Sequence, residues 1–252
     1  MPSPLCYVGT RVNVSVAQWI GNRAKQEDAY AVRHYPDAAL AVVCDGMGGH
    51  DCGRMAAELA ANSFVEAFDK TQGGTVADRL RAALDQANDA VGELFRNGAM
   101  YGGTTLLAAY VGGGVLWWIS VGNSPLFIWR HGRLLRPNAD HSMRSIYGEF
   151  VKSGTMGFAE AMAQGHSLRS AVTGEKIPMI DAPATPYPLL PGDRILLASD
   201  GVDELLLPTP LSPALRRMFD DRSNQLAAEV VTACERMELP EADNATVLHL
   251  DY

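Results

Sequence analysis

Apolar and polar residues alternate at the start of the chain, where Val12, Val14 and Val16 are separated by Asn13 and Ser15. That period of two predicts a half-buried strand, which Gly21-Asn22 ends. A second strand is predicted over 28–34 and a third over 38–44, where seven small or apolar residues follow the Pro36-Asp37 turn. Three short strands so close in sequence are expected to meander in one antiparallel sheet. The period then becomes helical: Met55, Leu59, Ala60, Phe64, Ala67 and Phe68 lie on one face of a helix starting near Arg54 and closing near Gly73-Gly74. Thr75 with Asp78 resembles a capping box and opens a second amphipathic helix through Val76, Leu80, Leu84, Ala87, Val91 and Leu94. Strand patterns return over 104–111, 115–121 and 125–130, with a turn at Gly112-Gly113-Gly114 and a short strand to Leu135. Residues 142–185, interrupted by five glycines from Gly148 to Gly174, read as a mobile insert. A strand over 195–199, a helix over 224–238 and a strand over 246–251 follow. Strands and helices come in blocks, which predicts an α+β layered fold over a βαβ sheet.

Composition bounds what this fold can do. No Pro/Ser/Gly linker or charge run divides the 252 residues, so one domain over 1–252 is expected. The chain is 47% hydrophobic and 20% charged, enough apolar residue to bury a core. Its net charge of −8 argues against nucleic acid or an anionic membrane as partner. Cys6, Cys44, Cys52 and Cys234 form no C-x-x-C pair and no zinc spacing with His, and read as reduced thiols. The N-terminal residues lack a charged and then apolar leader, and no apolar span of about 18 residues occurs, so a cytoplasmic protein is expected.

The charge is placed unevenly. Asp45 ends the apolar run 38–44 and is followed by Gly46, Gly48 and Gly49. A carboxylate there is costly unless it is paired or bound to a cation. Glu27-Asp28, Asp200-Gly201 and Asp243-Asn244 repeat the arrangement, each an acid at a predicted strand edge. Oxygen ligands of this kind suit Mg²⁺ or Mn²⁺ and not zinc. Carboxylates gathered into one site repel one another without cations.

Seven ordered segments carry a resemblance: R-A-K-Q-E-D-A from Arg23, D-G-M-G-G-H from Asp45, G-G-T-T from Gly102, V-G-N-S from Val121, D-H-S from Asp140, P-G-D-R-I-L-L-A-S-D-G from Pro191 and D-N-A-T from Asp243. Together they resemble the metal-dependent Ser/Thr protein phosphatases of the PPM class, or type 2C, in compact bacterial form. The resemblance implies a four-layer α-β-β-α sandwich of two antiparallel sheets flanked by helices, with the insert over 142–185 as a flap. It implies that Asp45 bridges two ions, that Asp200 and Asp243 ligate the first, and that the Gly46 carbonyl ligates the second. Glu27 and Asp28 match acids that hold the second ion largely through water, and Arg23 matches the arginine that grips the substrate phosphate. Two divalent ions about 3.5–4 Å apart share a water and aim it in line at phosphorus.

Two positions depart from the pattern. Met47 stands where eukaryotic relatives have a histidine acid; His50 is the nearest replacement, with a metal-bound water as the other candidate. Asn123 stands where the family has the aspartate of a third metal, which predicts a weaker third site; an amide that only hydrogen-bonds within its turn is the alternative. The implied substrate is a phosphoprotein, the target of a bacterial Ser/Thr kinase, with type VI secretion control as the narrowest reading; a monomer is expected. A binding module on the same fold without turnover, and a small-molecule phosphoesterase, remain as alternatives.

Other features have plainer readings. Gly46-x-Gly48 lacks the third glycine of a dinucleotide loop, since position 51 is Asp51. Trp117, Trp118 and Trp129 lie in strands and read as packing residues. Asp203 and Glu204 read as acids of a helix start or of the site's surroundings. His141 is expected to orient its neighbours, and His249 to be structural.

Overall fold

The computed structural model describes residues 12–49, 51–98, 100–157, 160, 165, 167–207, 210–222 and 224–252. In chain order the elements are β1 (Asn13–Trp19), β2 (Asp28–Tyr35), β3 (Ala38–Gly48), α1 (Cys52–Lys70), α2 (Val76–Phe95), β4 (Gly102–Thr104), β5 (Leu106–Gly112), β6 (Val115–Val121), β7 (Leu126–Arg130) and β8 (Arg133–Leu135). Then come α3 (Arg144–Lys152), β9 (Tyr187–Pro188), β10 (Arg194–Ala198), a short turn of 3-10 helix over Asp200–Val202, α4 (Asp203–Leu206), α5 (Pro213–Asp220), α6 (Leu226–Glu235) and β11 (Ala245–Asp251).

All strand pairs are antiparallel, in two sheets. One runs β1-β11-β10-β7-β8; the other runs β2-β3-β5-β6-β9, with β4 on the far end of β3. The apolar run in β3 follows from burial on both faces. Ala39, Ala41 and Val43 pack toward Ile195, Leu197, Leu248 and Leu250 of the other sheet. Leu40, Val42 and Cys44 pack toward Ala56, Ala60 and Phe64 of α1. On the outer face of the first sheet, Ala198 and Val247 meet Leu226 and Val230 of α6. The result is the four-layer α-β-β-α sandwich that the sequence implied. The capping box is present, with Asp78 N donating to Thr75 Oγ1 and Thr75 N donating to Asp78 Oδ2. It satisfies two of the N–H groups at the start of α2 that helix geometry leaves unpaired.

Three expectations are corrected. β1 does not join β2 and β3 but pairs with β11 in the opposite sheet. The chain changes sheets over 20–27, where Asn22 N donates to Ala242 O at 2.9 Å and the Asn22 amide bonds the carbonyls of Leu239 and Pro240. β3 does not stop at Cys44 but runs to Gly48, because β4 pairs with its last three residues. The insert is partly stitched down. Thr104 and Val172 exchange backbone hydrogen bonds of 3.0 and 2.9 Å, Ser120 and Asp181 exchange 2.8 and 3.0 Å, and buried Val172 joins the core. Among the described residues no helix is long and apolar enough to cross a membrane.

Candidate metal centre

Each acid singled out in the sequence stands at one shared end of the two sheets, carried there by a different element. Asp45 lies within β3, directly across from Asp28 of β2. Asp200 follows β10 and Asp243 precedes β11, two adjacent strands of the other sheet. The crossover over 20–27 brings Arg23 and Glu27 to the same end, where they contact Asp243 and Asn244. Like charges placed opposite each other in a ladder oppose folding. Asp28, Asp200 and Asp243 all act on Asp45, and with burial as the leading cause they hold its carboxyl well above the ordinary aspartate range. Burial, helped by Asp200 and Asp243, pushes Asp28 up to about 7, against the hydrogen bonds it accepts from Thr246 and Ser199. Glu27 is raised by burial, with Arg23 opposing.

The backbone around these acids is fixed by the remaining motif residues. Asp45 N donates to Thr105 Oγ1 at 2.9 Å, and Asp45 O accepts from Thr105 N and from Thr104 Oγ1, each at 2.9 Å. Ser124 holds the Thr105 hydroxyl at 2.7 Å. Gly46 is required by space: a Cβ there would lie 2.2 Å from the carbonyl oxygen of Gly53 in α1, far inside contact distance. Gly21 has φ +65, and a Cβ there would lie 2.2 Å from Asp243 O, so the crossover can lie against the Asp243 backbone only through glycine. Asn244 ties the crossover to the acid end. Its Oδ1 accepts from Glu27 N at 2.7 Å, and its Nδ2 donates to Ile20 O and Lys25 O.

The acids' oxygens have varied partners. Ser199 Oγ and Thr246 Oγ1 donate to Asp28 Oδ2 at 2.7 and 2.6 Å, while buried Asp28 Oδ1 has no hydrogen-bond partner. Arg23 Nη2 donates to Asp243 Oδ2 at 2.7 Å. Asn123 Nδ2 donates to Asp200 Oδ2 at 2.7 Å. Among the described residues no three His, Cys, Asp or Glu side chains are already drawn into a ligating group. The Asp45 carboxyl instead meets that of Asp200 directly, and the outer oxygens of Asp200 and Asp243 are taken up by Asn123 and Arg23. A divalent cation fits the donor set all the same: every acid is a hard oxygen ligand, their charges repel, and Asp28 Oδ1 is an orphaned buried acceptor. Beside the acids opens a cavity of about 550 Å³ whose lining includes Arg23, Asp200 and Asp243 together with Trp19, Met237 and Leu239.

His50, the sequence candidate for the proton donor, lies outside the described residues, as does Cys6. Met47 sits in β3 and has no proton to give. His141 is buried and does orient its neighbours, accepting from Gly122 N through Nδ1 at 3.2 Å next to Asn123. His249 belongs to a cluster at the other end of the sheet. The roles of Ser199, Thr246 and Asn244 are additions. All three lie inside or beside quoted motifs, but what they bond becomes visible only with the register that sets Ala198 against Val247. Arg144, on the flap helix, was missed: its Nη1 donates to Asp203 Oδ2 at 2.6 Å.

The protein phosphatase 2C family profile matches residues 18–238. A Ser/Thr protein phosphatase of Mycobacterium tuberculosis, PstP, is 30% identical over 188 residues, which are 72% of this chain and 34% of that protein. The chain thus spans about a third of the length of that curated relative. The catalytic domain of PstP in complex with two manganese ions superposes with a TM-score of 0.74 at 26% identity, covering 96% of this chain and 98% of that one. PppA of Pseudomonas aeruginosa, described as a regulatory component of type VI secretion, has the same fold, with a TM-score of 0.71 at 24% identity over 96% of this chain and 98% of PppA. With the motif residues gathered at one end of the sandwich and the profile matched over most of its length, the chain belongs to the protein phosphatase 2C family.

Proposed function

We propose that the protein is a metal-dependent protein Ser/Thr phosphatase that hydrolyses phosphoserine and phosphothreonine at the acid end of the sandwich. One observation carries the reading: acids from separate elements converge there with an unpartnered buried oxygen on Asp28, beside an arginine free to turn to a phosphate. Two Mn²⁺ or Mg²⁺ ions, when bound, supply Lewis acidity toward the phosphoryl group and an activated water. Asp45, Asp200, Asp243 and the Gly46 carbonyl would hold these ions, with Glu27 and Asp28 in support.

Arg23 binds the substrate. Its contact to Asp243 is solvent-exposed at 57% and 43% of the two side chains, so giving it up costs on the order of 1 kcal/mol or less. A phosphate dianion offers the guanidinium two oxygens in place of one. Asp28, fixed by Ser199 and Thr246, keeps Oδ1 directed away from those donors and open to a cation or its water. The leaving serine or threonine oxygen needs a proton, which Met47 cannot give; His50 or solvent supplies it.

Kinase-phosphorylated proteins are the substrates this reading expects, in keeping with relatives named as protein phosphatases. Type VI secretion is the narrowest version. The likeness to PppA extends to the fold alone, and a secretion assay in a deletion strain decides it. Buried Cys44, Cys52 and Cys234 are free thiols, with burial raising Cys44 and taking Cys234 up to about 11, which suits a reducing cytoplasm. Hydrolysis of a phosphothreonine peptide and of an aryl phosphate, with Mn²⁺ and with chelator, tests the function. Metal-dependent release from the peptide supports it; release from the aryl phosphate alone favours a small-molecule phosphoesterase; none from either leaves a binding module.

A further inference from the structure

The side of the site where the family pattern would put a third metal is Asn123, and its residues do not fit a metal. Asn123 is buried and directs its amide nitrogen, a donor, at Asp200 Oδ2. Turning the amide over would set its oxygen against a carboxylate oxygen and lose that bond. The Asn123 carbonyl is engaged as well, accepting from Arg136 Nη2 at 2.8 Å. Next to it, Arg144 at the start of α3 pairs with Asp203, whose side chain is 5% exposed. The Arg144 charge acts on Asp200 and Asp140 as well as on Asp203, and Arg136 acts on Asp203 too. Two guanidinium groups therefore serve the acids that a third ion would have to share.

We infer that this phosphatase is a strict two-ion enzyme in which Arg144 of the flap helix takes the place of a third cation. Arg144 is a positioning residue here. Its backbone is anchored, with Arg144 N donating to Ser142 Oγ at 3.2 Å and neighbouring Met143 N to Ser167 O at 2.8 Å. The guanidinium so held neutralises Asp203 three residues from Asp200, and ties the flap to the metal end without an exchangeable ion. A planar guanidinium on a fixed stem cannot dissociate as a weakly held ion does. Asp203 Oδ1 is buried and has no hydrogen-bond partner, so one oxygen ligand for a third ion is latent in the site. The missing acid at 123 and the cation at 144 are what keep it unused.

The inference rests on the two-ion reading above, and counting ions separates the two. Equilibrium dialysis of the full chain against millimolar Mn²⁺ gives the number bound per protein, with the melting midpoint measured in parallel. Two ions are expected for wild type and for Arg144→Lys, and three for Asn123→Asp combined with Arg144→Gln. Three ions on wild type would leave the two-ion core standing and overturn the role of Arg144. A folded double variant that still binds two would overturn it as well, and fewer than two on wild type would remove the core reading with it. The wild-type count needs no variant to fold.

Discussion

Strands β10 and β11 end in two buried polar clusters of opposite design. At one end Arg194, 1% exposed, donates through Nε to His249 Nε2 at 3.2 Å and through Nη1 to the carbonyls of Phe219 and Asp221, with Asp251 4.0 Å away. Ser15 Oγ lies 3.4 Å from His249 Nδ1. There opposite charges face one another within the chain: Asp251 Oδ1 is buried without a hydrogen bond, yet it lies 4.0 Å from the Arg194 guanidinium. At the other end burial and the charges of the neighbouring acids hold the Asp28 and Asp45 carboxyls above their ordinary range, and one oxygen of Asp28 is left over. Both clusters are held by the same pair of strands, so the difference lies in their charge. A cluster that balances its own charge serves the fold; a cluster of like charges is completed from outside, by a cation.

The largest effect should come from neutralising the acid end. Asp45→Asn removes the expected bridging ligand while leaving the Thr105 hydrogen bond to its backbone, and should cut phosphopeptide hydrolysis by about 10³-fold or more, some 4 kcal/mol of barrier. Its circular dichroism should stay that of wild type; a variant retaining a tenth of the activity would sink the assignment. At the self-balanced end the loss should fall on stability. Arg194→Ala strands His249, Asp251 and several carbonyls and should cost about 3 kcal/mol in urea unfolding. Turnover per folded molecule should be unchanged, and a variant as stable as wild type would refute the pairing. The smallest effect concerns pH. Burial, with Arg194 beside it, lowers His249 to about 3 in the folded chain, against about 6.5 when unfolded. The unfolded state therefore takes up a proton first as pH falls below about 6.5. This site then costs stability at up to about 1.4 kcal/mol per pH unit until about pH 3, and costs nothing above pH 7. His249→Gln should flatten that acid limb relative to wild type.

How much of this was legible depends on what each element packs against. β6 begins at Val115 and ends at Val121, as the apolar run after the Gly112–Gly114 turn implied, and the Thr75–Asp78 box was readable because it is local. The partner of β1 was not, since alternation gives a face and not a neighbour; the glycine at 21 and Asn22 send the chain to the other sheet. β4 was hidden because two of its three residues are glycines, with no side-chain pattern to read. Helix α5 had a signal that went unused, Ser212 as N-cap with Pro213 in the first turn. Within the site, the acids stood out by their cost at strand ends, and their grouping came through the family resemblance. Asn123 shows the limit. Its identity gave a weakened ligand, whereas the direction of its amide and the arrival of Arg144 from the insert depend on tertiary packing that no local pattern encodes.

The central claim is that the acid end needs a cation and the Arg194 end does not. Thermal unfolding of wild type and Asp45→Asn, each with Mn²⁺ and with chelator, tests it most directly. At 100 times its dissociation constant a bound ion stabilises the folded chain by about 2.7 kcal/mol. The wild-type midpoint should therefore rise by roughly 5–10 °C on adding Mn²⁺. The Asp45→Asn midpoint should rise by much less. Equal midpoints for wild type with Mn²⁺ and with chelator, or equal shifts for both proteins, would contradict it.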